Sequence, residues 1–431
     1  MLRQAEFAGS ARALPVLVLG YSVLMMHLVF CRAFRDSLLG SHLAVKSLPE
    51  LTVLGTLLAI TLSLVISFFE RTRERIVVVR CVYAVNGSVE ILMALAYRTH
   101  QWLYSAYYIE VSASTALGLS LIWVLIGDWT SRCNEKSGDK IPLILICGTS
   151  AGMFAGLSFV HIPGALHFGT ANLMLAGMHA VVVLALLFYR DDLCTRNTER
   201  LRDWIARGKR QLTRGLVRTL ALVAVFSAMT STLLDLVFRV AIAQRYTQQI
   251  DRLQFVGGLQ SALSLGALLS QLLMTRLHSQ RAGMGLTLLH PAVVTLMGCA
   301  AAFLPSFWVL GAYRTMEYSL RNSTLRFGAE RALTALPDDV RGEARPLIDV
   351  VSERLGDLAA AGFLQLLFLD NPGLAMRPAL ITVAGCSLVL LLAVKSLIGR
   401  AEVLEHFRAP RQPGGTAVSL HGMAKQSSAQ V

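Results

Sequence analysis

Charge is what this sequence has least of. Asp, Glu, Lys and Arg supply only 16% of its 431 residues, against about 25% in soluble domains. That shortage excludes an ordinary water-soluble fold. Hydrophobic residues, at 54%, take up the difference, and the mean hydropathy is +0.56. Cysteine is also scarce: there are seven, at positions 31, 81, 133, 147, 194, 299 and 386. They form no C-x-x-C and no His/Cys spacing suited to a metal, so neither a disulfide framework nor a metal or other cofactor is expected. No G-x-x-x-x-G-K-[ST], H-E-x-x-H or G-x-S-x-G occurs, which argues against ATP-driven transport and against an enzyme. Strict alternation of apolar and polar residues is missing too, which excludes a transmembrane β-barrel. No small-residue cleavage site follows a short apolar segment near residue 14, so no removed signal or transit peptide is expected.

What is present is a series of long apolar runs between Leu14 and Ile398. They predict an all-α integral membrane protein with twelve spans in two six-helix halves. The spans are expected at roughly 14–34, 51–69, 76–97, 103–127, 141–160, 170–189, 216–239, 254–275, 284–304, 306–326, 347–369 and 378–398. Alternate loops at 70–75, 131–140, 190–218, 276–281 and 321–345 hold 22 Lys and Arg, and the opposite loops and helix ends hold 8. By the positive-inside rule both termini are then cytoplasmic. The net charge of +13 fits this topology and anionic lipid headgroups, not nucleic acid.

The expected organisation is a cytoplasmic N-terminus (1–13), a six-helix half (14–189), a cytoplasmic linker (190–215), a second half (216–398) and a largely disordered cytoplasmic tail (399–431). The linker spaces Leu193, Leu201, Trp204, Ile205 and Leu212 among charges, as an amphipathic helix on the membrane surface would. Aromatic and cationic residues close the first helix of each half, a weak internal repeat. This layout is major-facilitator-like, an analogy of fold and not of substrate.

Charges inside the spans cost roughly 2.5–3.5 kcal/mol each unless paired or wet, so they are the candidate site residues. Span one places His27, Cys31 and Arg35 at i, i+4, i+8, with Asp36 beside Arg35. These either line an anion's approach or form a pair snorkelling to water at the outer interface. Asp235 and Arg239 stand at i, i+4 in span seven, a spacing that suits an intrahelical pair. That pair is either static or opened by a competing anion. Arg314, Glu317 and Arg321 share one face of span ten. Asp349, Glu353 and Asp357 share one face of span eleven, with Arg354 three residues before Asp357. The two faces could neutralise each other. Glu90, near Asn86 in span three, and Glu110 in span four are candidates for a proton relay or for hydrogen bonds to neighbouring helices. Gly148, Gly152 and Gly156 make a small-residue stripe for close helix approach in span five.

The block from Glu330 to Asp357, ending I-D-V-V-S-E-R-L-G-D, resembles the corresponding region of ATP/ADP translocase-type nucleotide transporters, known from plastids and bacteria. Glu330, Leu336, Ala344, Ile348, Asp349, Arg354 and Gly356 match that pattern, and Asp357 matches its divergent bacterial relatives. Phe34-Arg35-Asp36-Ser37-Leu38 is similar to the family's K/R-D-x-L motif. Trp123 to Gly156 is similar to its region around spans four and five, and Asp235 with Arg239 to its Glu and Lys in span seven. Arg35 and Ala329 stand where the family has lysine. Gly127-Asp128 replaces an Asn, and Arg341, Glu343 and Arg345 replace loop lysines. The resemblance implies secondary transport of an anionic small metabolite, a nucleotide or other phosphorylated compound. From the charges within the spans, Arg35, Asp36, Asp235, Arg239, Arg314 and Glu317 are the expected substrate contacts, and Glu90, Glu110, Arg354 and Asp357 are candidates for a proton or ion-pair relay. The alternative is a transport-inactive membrane scaffold or sensor acting through linker and tail. The expected partners are the anionic substrate and the bilayer of the cell (inner) membrane.

Overall fold

The computed structural model describes residues 2–72, 74–97, 100–132, 141–161, 166–189, 215–278, 284–304, 306–334, 336, 344, 347–370 and 376–408. The proposed linker helix and most of the tail lie outside these residues. The described chain is almost wholly helical: α1 (Leu2–Ser37), α2 (Leu48–Thr72), α3 (Arg75–Ala96), α4 (Leu103–Arg132), α5 (Ile141–Val160), α6 (Phe168–Leu187), α7 (Gly215–Arg245), α8 (Gln249–His278), α9 (Leu289–Phe303), α10 (Phe307–Leu320), α11 (Arg326–Thr334), α12 (Glu353–Asp370) and α13 (Met376–Arg408). Ten of them are long and apolar enough to cross a membrane. The expected spans at 306–326 and 347–369 fall on α10 and α12. Both are interrupted: a π-helical segment, Arg321–Leu325, joins α10 to α11, and another, Leu347–Ser352, leads into α12. Together with the ten they are consistent with a twelve-span layout.

Two helix ends differ from the sequence expectation. The helix of span one begins at Leu2, not near residue 14, and 36 residues at about 1.5 Å each outrun the roughly 30 Å hydrocarbon layer. The last helix likewise continues unbroken to Arg408. The helices run through the Gly and Pro residues in or beside these stretches, Gly9 and Pro15 in the first and Gly399 in the last.

Packing divides the helices into two groups. α1 packs on α4, α5 and α6, and α3 on α6; α7 packs on α12 and α13, and α9 on α13. Between the groups, α5 and α1 meet α8, and α2 meets α12. The apolar cores follow this division unevenly. At the end away from the termini one core runs through both groups, with Phe34, Tyr107 and Phe159 on one side and Phe238, Leu253 and Tyr313 on the other. Toward the termini the cores separate. One is built on Leu17, Tyr83 and Ile126, the other on Leu220, Leu333 and Leu390.

The joined end depends on small residues. A side chain at Gly156 would sit 2.7 Å from the Gly257 carbonyl of α8, and one at Gly257 would sit 2.9 Å from the Gly156 carbonyl. The small-residue stripe of span five is therefore a seam: Gly148 seats Tyr21 of α1, and Gly156 seats α8. In the turn after α1, Gly40 has φ +79°, a conformation that favours glycine. A side chain there would lie 2.7 Å from Arg252 Nη1. Arg252 itself is 1% exposed. It donates from Nε to the Ser37 carbonyl (3.1 Å) and from Nη1 to the Tyr246 carbonyl (3.3 Å). One α8 cation thus holds the ends of α1 and α7.

Candidate functional site: an ion-pair chain between the halves

Where the two helix groups meet, the span charges form one chain of alternating sign. It starts on α1, where Arg35 Nε donates to Asp36 Oδ1 at 2.9 Å. The other oxygen of Asp36 lies 3.3 Å from Arg239 Nε of α7. Arg239 also pairs with Asp235 one turn earlier, and Asp235 Oδ1 lies 3.1 Å from Arg314 Nη2 of α10. Arg314 pairs with Glu317, whose Oε1 is 3.5 Å from Arg321 Nε. Helical repeat explains the intrahelical links, since residues three and four apart share a face. The cross-helix links explain why such charges persist in an apolar bundle: each carboxylate lies between two guanidiniums.

Hydroxyls and rings support the chain. Arg239 Nη1 donates to the Tyr108 hydroxyl of α4 at 2.7 Å, and Arg314 Nη1 to Ser231 Oγ of α7 at 3.1 Å. The Arg35 guanidinium lies over the Tyr108 ring, 4.9 Å from its centre, a cation–π arrangement. Arg35 is 4% exposed and Asp36 7%, so this pair does not snorkel to water. That alternative is corrected by the Asp36–Arg239 link, which draws both residues into the bundle.

The chain has more cations than anions. Arg35, Arg239, Arg314 and Arg321 are matched by Asp36, Asp235 and Glu317. Arg32, half-buried on α1 and within the electrostatic reach of Asp235, makes no ion pair among the described residues. Arg35 Nη2 is buried with no hydrogen-bond partner. Such an arrangement can accept an anion by lending it guanidinium donors now shared with carboxylates. Among the chain's acids, the Asp235 side chain is the most open, at 26%.

The charged faces of spans ten and eleven meet only in part: Arg321 lies within electrostatic reach of Glu353 and Asp357 of α12, whereas Arg314 makes its interhelical ion pair elsewhere. The interhelical ion-pair partner of Arg314 is Asp235 on α7. Asp357 instead pairs with Arg354 and accepts from Thr232 Oγ1 of α7 at 2.6 Å. These contacts form a local α12–α7 tie, within electrostatic reach of Arg321 at the end of the main chain. The Asp349 side chain lies outside what is described.

Glu90 proves to be a separate centre. Completely buried on α3, it lies 2.9 Å from His27 Nε2 of α1 and 2.8 Å from His179 Nδ1 of α6. Glu110 of α4 is near enough to feel its charge, and both Glu110 oxygens are buried without a hydrogen-bond partner. Reading the sequence picked out neither His179, Tyr108, Ser231 nor His290, whose Nε2 is 3.9 Å from Glu317. His179 and His290 had one available signal, a polar ring in the middle of an apolar run; the hydroxyls had none.

No protein-family model and no curated protein matches the sequence. Solved structures do match the fold. A mutant form of the nucleoside transporter NupG superposes with a TM-score of 0.63 at 13% identity, covering 90% of this chain and 99% of that one. The human organic anion transporter MFSD10 (TETRAN) gives 0.63 at 12%, covering 89% and 99%. A D-xylose-proton symporter gives 0.61 at 11%, covering 91% and 98%. At such identities the likeness is one of architecture. With its apolar helices, its two helix groups and these structural neighbours, the chain is an all-helical integral membrane protein of the major-facilitator fold.

Proposed function

We propose that the chain is a secondary transporter that moves an anionic small metabolite by alternating access. The observation that carries this reading is the ion-pair chain, which crosses from α1 to α7 with cations in excess and an unpartnered Arg35 Nη2. Arg35, Arg239 and Arg314 would bind the anion. Asp36, Asp235 and Glu317 would hold those cations when no substrate is present. An arriving anion competes with Asp36 for Arg239, and that exchange loosens the link between the halves. The separated cores toward the termini favour access from that end.

The resemblance of residues 330–357 to ATP/ADP translocase-type transporters places phosphorylated compounds, nucleotides included, in the substrate class. Arginine at 35, where those proteins have lysine, keeps the charge and offers a planar fork to a phosphate. The topology proposed with this function puts both termini in the cytoplasm of a cell-membrane protein, with halves at 14–189 and 216–398.

The test is purified full-length protein reconstituted in liposomes. Nucleotides, sugar phosphates and carboxylates are first screened for thermal stabilisation, and the stabilising anion is then used for uptake. Arg239→Ala is expected to weaken anion binding about 10- to 100-fold, the worth of one or two charge-assisted hydrogen bonds, while the protein stays folded. Uptake that survives both Arg239→Ala and Arg35→Ala overturns the reading. Silent site variants combined with a phenotype from deleting 190–215 would favour the scaffold alternative.

A further inference from the structure

Glu90 is an acid without a permanent counter-ion. Among the described residues no Lys or Arg pairs with it, and both its oxygens face imidazoles. His27 comes from α1 and His179 from α6. Their rings lie 4.2 Å apart, and all three residues are at most 2% exposed. The other titratable groups around them are Cys31 of α1, Tyr83 of α3, and Tyr107 and Glu110 of α4. Tyr83 donates its hydroxyl to the Gly118 carbonyl at 2.8 Å and is turned to that bond.

An ionised carboxylate can only accept. With Glu90 ionised, the ring nitrogens facing it carry hydrogens, and a neutral His27 is then the Nε2–H tautomer. Its Nδ1 then holds a bare lone pair, buried and with no hydrogen-bond partner. In this state the cluster bears one negative charge in an apolar bundle. One proton passed from hydronium to Nδ1 turns His27 into an imidazolium that still donates from Nε2 to Glu90, and the cluster becomes neutral. A metal ion fits less well. A ligating histidine normally has its second nitrogen hydrogen-bonded, and Nδ1 of His27 has nothing to bond.

We infer that His27, Glu90 and His179 form a proton-binding site that couples one proton to the transport cycle. The coupling half of this inference rests on the transport reading above. The stripe His27, Cys31, Arg35 links the two centres along α1, eight residues or about 12 Å apart. At that range, and with an effective dielectric near 20, one added positive charge strengthens anion binding at Arg35 about tenfold. Because Nδ1 is sealed from water, loading requires α1 to shift against α3 and α6. Proton exchange is thereby tied to movement of a helix that carries the anion site.

The experiment uses full-length protein in nanodiscs. Infrared spectra in D2O between about pH 5 and pH 8, the range of histidine titration, should show a slowly exchanging imidazolium in the wild type. It should be absent in His27→Gln and in Glu90→Gln. If Glu90→Gln does not fold, His179→Asn carries the same comparison. Anion affinity, measured with the compound found in the thermal screen, should be about tenfold tighter at low pH in the wild type and independent of pH in His27→Gln. Identical titrations in wild type and variants overturn the proton site. So does stoichiometric zinc in the purified wild type that is lost in His27→Gln. A titrating site with pH-independent anion affinity overturns the coupling. Absence of any anion binding sinks the transport reading alone and leaves the infrared result to decide the site.

Discussion

Asp36 makes the ion pair by which α1 meets α7. It shares a carboxylate between Arg35 and Arg239, so it is the natural competitor of an incoming anion. Asp36→Asn keeps the shape and removes that competition. Anion affinity should then rise about tenfold, the weight of one charge-assisted contact, as measured by calorimetry on the reconstituted protein. Unchanged or weaker affinity in a folded variant would show that Asp36 does not compete. Individual residues were only partly legible in the sequence. Asp235–Arg239 and Arg354–Asp357 could be paired by helical spacing alone, because both partners lie on one helix. Glu90 could not, because its partners are 63 and 89 residues away along the chain. Nor does any local pattern show that the Tyr108 hydroxyl reaches Arg239.

Among the elements, α5 and α8 make the tightest approach between the halves. A Cβ added at Gly156 or Gly257 would lie 2.7 or 2.9 Å from the carbonyl oxygen of the other, leaving no volume for a side chain. Gly156→Leu should lower thermal stability, since overpacking costs about 1–3 kcal/mol even in forgiving cores. Gly177→Ala, on α6 with no atom near its missing side chain, is the control and should melt like the wild type. Equal melting of both variants would mean the seam is not tightly packed. The glycine stripe and the spans themselves were readable, because both depend on composition along a single helix. The π segments at Arg321–Leu325 and Leu347–Ser352 were not. The two spans they interrupt are also the most charged.

For the molecule as a whole, apolar runs were enough to lay out the fold, because the bilayer demands helices of a set length. How the halves meet was not readable, since it depends on surfaces far apart in sequence. The structure shows a core joined at one end and divided at the other. Opening the joined end requires parting Arg252 from the Ser37 carbonyl and Asp36 from Arg239.

That last separation fixes a valence. On the α1 side Arg32 and Arg35 stand against Asp36. On the other side Arg239, Arg314 and Arg321 stand against Asp235 and Glu317. Within the ion-pair chain alone each side is left with one surplus positive charge, that of Arg321 also lying within electrostatic reach of Glu353 and Asp357 of α12, and the two surpluses repel across the parted interface. A cargo bearing two negative charges cancels both and bridges the gap; a singly charged one leaves half the repulsion in place. Dianions such as phosphate monoesters and dicarboxylates should therefore bind tighter than monocarboxylates of the same size by about tenfold or more. Equal affinity for mono- and dianions in a competition assay would break this count.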